Sequence, residues 1–186
     1  MSKLTEEEKK VVLKMVDLAI QHGLEHREPL RVNPQDFPEN LRKQCACFVT
    51  LETNGTLRGC IGSLVACQPL IEDLVNNAHA AAFCDPRFFP LTRAEYSQIS
   101  KHISLLSKPE PMHFTSEQDL LRQLRPGVDG LILSDKGYRG TFLPSVWETL
   151  PTPELFLKHL KQKAGLPMDY WSDTISVERY TAEVIE

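Results

Sequence analysis

The chain has 186 residues, 41% of them hydrophobic and 25% charged, with a formal net charge of −4. That is enough chain for one ordinary globular domain with a real core, or for two small lobes. The acidic balance argues against a direct, non-specific grip on nucleic acid, which needs clustered Lys and Arg. No apolar run approaches the ~18–20 residues of a membrane span.

The segment Met1–Glu8 is polar and acidic, unlike a secretory leader, so a cytoplasmic location is expected. In that reducing setting the five cysteines, an odd number with no framework spacing, read as free thiols. Thr5 and Glu8 form a capping box that opens a helix with Val12, Met15, Val16, Ala19 and Ile20 on one face. Gly23 is its expected stop. Residues 25–43 carry Pro29, Pro34 and Pro38 and read as a connector pinned by Phe37.

Cys47–Leu51, the dipeptide Asn54-Gly55 and Leu57–Leu64 read as a β-hairpin. A two-residue turn places Arg58 opposite Leu51 and Cys60 opposite Val49. Arg58, Cys60 and Gly62 then share one face, and Gly59 and Ser63 the other. Two glycines in one short strand imply that a ligand or another backbone comes close. A second helix follows Pro69, buried through Leu70, Leu74, Val75, Ala78 and Ala82, and ends before the stiff loop Asp85-Pro86-Arg87-Phe88-Phe89-Pro90.

Thr92 and Glu95 cap a short helix. A strand spans 97–107, and Lys101, which interrupts its apolar face, is expected near a strand end. Ser116 and Asp119 start another short helix. Gly130–Leu133, the turn Asp135-Lys136-Gly137 and Tyr138–Phe142 make a second hairpin, with Leu143–Trp147 as an extended exit. Thr152 and Pro153 open a helix that Gly165 ends, and a single last strand runs from Ile175 to Ile185. The pattern specifies an α+β fold: a mostly antiparallel sheet flanked by helices, with a main lobe and a smaller lobe and a cleft between. Both lobes share residues 1–186 as a single domain.

Cys60 is the candidate nucleophile, since a nearby cation favours the thiolate; the alternative is a small buried hydrophobe. His79 and His102 are the candidate bases, neither tied to Cys60 by spacing. Arg58 and Arg87 could clamp an anion through paired hydrogen bonds, or Arg87 could simply pair with Asp85. Gly59, Gly62 and Asp85 complete the candidate ligand site. Cys45-x-Cys47 has the wrong spacing for a zinc knuckle; with Cys60 the pair offers a soft-metal site as the alternative, but no metal is expected. No Walker loop, dinucleotide fingerprint or radical-SAM cysteine cluster is present, so no cofactor is expected.

Arg58-Gly59-Cys60-Ile61-Gly62 resembles the signature of the AMMECR family, the system protein A of the AmmeMemoRadiSam group. The likeness continues at Ala81-Ala82, at Asp85-Pro86-Arg87-Phe88, at Ile103–Ser107, at Thr141–Trp147 and at Lys163–Leu166. The resemblance implies an α+β fold without a settled activity, and association with Memo-like and radical-SAM pathway proteins. Two functions follow as expectations. One is a binding or accessory module that offers the Arg-Gly-Cys-Ile-Gly cleft to a small anionic ligand or a partner protein. The other is a cysteine-dependent enzyme, for acyl or thiol transfer at Cys60. A third reading is a regulator of gene expression or translation acting through protein partners.

Overall fold

The computed structural model describes residues 4–186; Met1–Lys3, where the leader reading starts, lie outside the described residues. In chain order the elements are α1 (Glu6–His26), α2 (Glu39–Arg42), β1 (Cys47–Thr53), β2 (Thr56–Gly62), α3 (Leu70–Phe83), α4 (Arg93–Tyr96) and β3 (Ile99–Leu106). They continue with β4 (Glu110–Pro111), α5 (Glu117–Gln123), β5 (Gly130–Asp135), β6 (Tyr138–Phe142), α6 (Pro153–Lys163), β7 (Ser176–Tyr180) and β8 (Ala182–Ile185). Two four-stranded sheets result, ordered β2-β1-β3-β8 and β4-β7-β5-β6. The fold is α+β, and the register-paired neighbours run antiparallel.

The chain forms two compact units. The first takes the residues up to Leu106 and Glu183–Glu186; the second takes Ser107–Ala182. The chain therefore leaves the first sheet, builds the second unit, and returns to add β8. The single strand expected over 175–185 is in fact β7 and β8, broken at Thr181 and assigned to different sheets. A continuous apolar pattern cannot report which sheet a residue joins.

In the first unit, the Thr5–Glu8 capping box forms as expected, with Thr5 Oγ1 accepting from the Glu8 N–H at 3.2 Å. All five stripe residues of α1 are buried. Gly23 does not stop this helix, which runs to His26 and closes at Arg27 in the left-handed region (φ 60°). Its role is packing: a Cβ on Gly23 would lie 2.3 Å from the Phe83 ring of α3. Lys101 sits third in an eight-residue strand, not at its end. Its charge is met there by Asp17 of α1 and by the Tyr96 ring.

Helix α3 is joined to the sheet by a buried polar knot. The Asp73 carboxylate accepts from the Cys47 N–H (2.9 Å), Ser63 Oγ (2.7 Å), Gln68 Nε2 (2.9 Å) and Asn77 Nδ2 (3.0 Å). Charged acceptors with this many donors form strong, directional bonds, and a buried carboxylate requires them. Cys47 is buried in this knot and its thiol is pushed well up, first by burial and then by Asp73. Burial also pushes the Cys45 thiol up, to about 11.

The first hairpin turns at Asn54 (φ 53°) and Gly55 (φ 74°), the backbone that Asn-Gly favours. Beyond the turn its register differs from the simple two-residue expectation. Glu52 faces Leu57, but Leu51 faces Gly59, so Arg58 is an extra residue in a β-bulge. Gly59 then lies against α3, where a Cβ would fall 2.1 Å from the Ala81 carbonyl oxygen. The backbone that comes close is that of helix α3.

In the second unit, Trp147 stacks on Phe156 of α6 (3.9 Å, 12°) and donates from Nε1 to the Asp129 carbonyl at 2.7 Å. Residues 144–148 form a 3₁₀ helix and not an extended exit. The buried Asp129 carboxylate accepts from the Arg125 backbone and guanidinium. The buried Asp135 carboxylate accepts three hydroxyls, from Thr174 (2.7 Å), Tyr170 (2.5 Å) and Ser172 (2.7 Å). These bonds to the ionised form hold its pKa down at about 2.

Gly59→Ala should lower unfolding stability by about 3 kcal/mol in a denaturant titration, because backbone opposes the new methyl. Gly55→Ala, with open space around it, should lose only about 1 kcal/mol, from the strained positive φ. Asp135 has its pKa depressed by folding, so its contribution is present above the ordinary carboxylate range and is lost as pH falls from about 4 through about 2. Thermal midpoints of the protein and of Asp135→Asn should differ at pH 7 and converge by about pH 2.

Candidate functional site

The candidate site lies in the first unit, where β2 forms one edge of its sheet. An edge strand exposes main-chain groups that must be satisfied or blocked. At Cys60 the loop after α3 does both with two side chains. Asp85 Oδ2 accepts from the Cys60 N–H at 2.9 Å, and Arg87 Nη2 donates to the Cys60 carbonyl at 3.2 Å. Together the pair imitates the next strand for one residue.

The two clasping side chains are themselves locked. Arg87 Nε and Nη2 donate to the two oxygens of Asp85 at 2.9 and 2.7 Å, and the Arg87 N–H donates to Asp85 Oδ1 at 3.1 Å. Asp85 is buried and keeps its charge: the Arg87 guanidinium, helped by the Cys60 N–H, holds its carboxyl well below the usual carboxylate range. The Arg87 side chain is 53% exposed. Its role as partner of Asp85, raised above as the alternative to anion binding, is thus occupied.

Arg58 is also committed. The bulge sends its guanidinium away from Cys60: Nε donates to Glu95 Oε1 at 2.8 Å and Nη2 to the Phe89 carbonyl at 2.9 Å. Arg58 and the hydroxyl of Thr92 hold the Glu95 carboxyl down at about 2. Both guanidiniums approach the Phe88 ring, at 5.7 Å for Arg58 and 5.5 Å for Arg87. The loop 85–90 is therefore fastened to β2 from both ends.

The register correction also moves Cys60. It faces Thr50, not Val49, and Thr50 faces His102 on the other side. Cys60, Thr50 and His102 thus form a row across three strands on the sheet face opposite buried Val49 and Leu51. Thr50 Oγ1 donates to Cys60 Sγ at 3.2 Å, and the thiol is half-buried. His102 has no hydrogen bond to Cys60; it meets Glu186 (Nδ1, 2.9 Å) and Glu52 (Nε2, 3.5 Å). His79, the other candidate base, is buried on α3 against Phe83, and burial lowers its pKa. Gly62 packs on Phe48, whose Cγ would lie 2.2 Å from an added Cβ.

Of the residues named from the sequence, Cys60, Asp85 and Arg87 come together in hydrogen-bonded contact. Gly59 turns to the helix, and Arg58 to Glu95. Cys47 turns into the Asp73 knot, on the opposite face from Cys60, so the two thiols do not meet. Sequence reasoning missed Thr50, Glu52, Glu186 and the second role of Glu95. Thr50 was legible only to a register that included the bulge. Among the described residues no three His, Cys, Asp or Glu side chains are grouped to hold a metal, and no helix is long and apolar enough to cross a membrane.

The family model AMMECR1 matches residues 13–185. A protein of Methanothermobacter thermautotrophicus is 37% identical over 97% of this chain and 95% of its own length. A Thermotoga maritima protein is 39% identical over 80% of this chain and 82% of its own. The crystal structure of uncharacterized protein PH0010 from Pyrococcus horikoshii has the same fold, with a TM-score of 0.89, 31% identity, and coverage of 97% of this chain and 92% of that one. With the matched region taking in both units, from within α1 through β8, the chain belongs to the AMMECR1 family.

Proposed function

We propose that the protein is a binding or accessory module of the cytoplasm that presents the Cys60 segment of β2, with Arg87 at its rim, to a small anionic ligand or a segment of a partner protein. One observation carries this reading: the Asp85–Arg87 clasp holds the main chain of Cys60 at both its N–H and its carbonyl while the thiol stays half-open. Rigid presentation without a base in hydrogen-bonding reach suits recognition better than turnover. Arg58 and Asp85 act as supports, and Gly59 and Gly62 let β2 sit close to its neighbours. A ligand carboxylate or phosphate would meet the outward edge of Arg87, since Nε and Nη2 are taken. In keeping with the family resemblance, Memo-like or radical-SAM pathway proteins are the partners to try first.

The Cys60–Thr50–His102 row favours a second reading, a cysteine-dependent acyl or thiol transfer. There Cys60 would be the nucleophile, and His102 would have to reach it through Thr50 or a water. Alkylation by iodoacetamide, followed by mass spectrometry of the Cys60 peptide against those of exposed Cys67 and Cys84, separates the two. Under the binding reading, Cys60 alkylates no faster than a model thiol below neutral pH. A faster rate that falls in His102→Asn would favour the enzyme.

The binding reading has its own test. Phosphate and small carboxylates should raise the thermal midpoint of the protein saturably, and Arg87→Lys, which loses the forked geometry, should abolish the rise. An equal response in both would sink the proposed rim. Asp85→Ala should cost about 1–3 kcal/mol in a denaturant titration, since it strands the Cys60 N–H and unfastens Arg87, whose charge stays solvated.

A further inference from the structure

The second unit holds a groove of about 520 Å³ with no part in the Cys60 site. That volume is within the ~300–1,000 Å³ range of small-ligand sites. Its lining includes Met112, Phe114, Trp171, Asp173 and Glu178. Phe114 and Trp171 meet ring to ring, with centroids 5.7 Å apart and planes tilted by 56°.

Three observations give the groove a chemistry. The indole of Trp171 already serves as a platform for a cation, because the ammonium of buried Lys161 lies 5.6 Å from its ring centroid. That lysine is neutralised by Glu117, so it adds little net charge to the groove. The carboxylates of Asp173 and Glu178 have neither a hydrogen bond nor an ion pair among the described residues. The carboxylates buried in the same unit, Asp129 and Asp135, are fully engaged.

We infer that this groove binds the arginine side chain of a basic segment of a partner protein, its guanidinium stacked on Trp171 with Phe114 at its edge and forked onto Asp173 or Glu178. An aromatic face attracts a cation through its quadrupole, and a planar guanidinium both stacks on the ring and pairs bidentately with a carboxylate. A compact ammonium offers only the first of these. An anionic ligand would meet two unpaired negative charges.

Acetyl-Gly-Arg-Gly-amide is the probe, titrated into the full chain with tryptophan fluorescence as the readout. Trp147 is buried, 4% exposed, and provides a constant background, so a change reports Trp171. The expected result is a saturable change. Its dissociation constant should rise at least ~10-fold in Asp173→Asn/Glu178→Gln and on raising salt from ~0.05 to ~0.5 M. The same peptide with Gln in place of Arg should give no saturable change. An unchanged thermal midpoint of the double variant shows that its fold is intact. The proposal is overturned if the Arg peptide gives no saturation, or if it binds the double variant as tightly as the parent. It is also overturned if the Gln peptide binds equally well, or if free arginine binds as tightly as the peptide, which would assign the groove to a small molecule.

Discussion

One inserted residue organises the first unit. Arg58 is left over in the β1–β2 ladder, and everything after it in β2 is displaced by one position relative to a regular hairpin. Side chains alternate along a strand, so a displacement of one exchanges the two faces. Gly59 is thereby pressed onto the Ala81 carbonyl, which only a residue without a Cβ allows. Cys60 moves to the other face, beside Thr50. The bulged residue itself is re-aimed at Glu95 and Phe89, which is a common use of bulges near functional sites.

The charges around this bulge are arranged as fasteners. Arg87 forks onto Asp85, and Arg58 makes a single bond to Glu95; each guanidinium also holds a main-chain carbonyl. Both carboxyls are kept ionised well below neutrality by their guanidinium partners. A sheet edge left bare would invite pairing with another strand. Two side chains close that edge at Cys60 while leaving the thiol partly open, which a full neighbouring strand could do only by adding another backbone. The same pairing removes most of the free positive charge that the two arginines would suggest when read in sequence.

The second unit also satisfies its buried charges in full. Asp129 is neutralised by arginine and Lys161 by Glu117, whereas Asp135 keeps its charge, solvated by three hydroxyls. By contrast, Asp173 and Glu178 have no partner among the described residues and line the same groove as Phe114 and Trp171. The buried Asp73 knot in the first unit follows the same logic of complete satisfaction: each donor that approaches the carboxylate also ties α3 to β1 or to the segment after β2.

Local chemistry was readable from the amino acids alone. The Thr5, Thr92, Ser116 and Thr152 caps, the Asn54-Gly55 and Lys136-Gly137 turns, the α1 and α3 stripes and the α+β class depend on neighbours a few residues apart. Such short-range interactions act on any chain carrying those residues. The family resemblance was legible for the same reason, since its motifs are short and ordered. Three features were decided only by tertiary contact. The bulge at Arg58 depends on Glu95, 37 residues away, and the Cys60 clasp on a loop 25–27 residues on. The split of the last strand depends on two sheets competing for one apolar run. Gly23 shows the principle in a single residue: its sequence context says helix stop, but the Phe83 ring that needs its bare Cα is 60 positions distant, and packing prevails over local propensity.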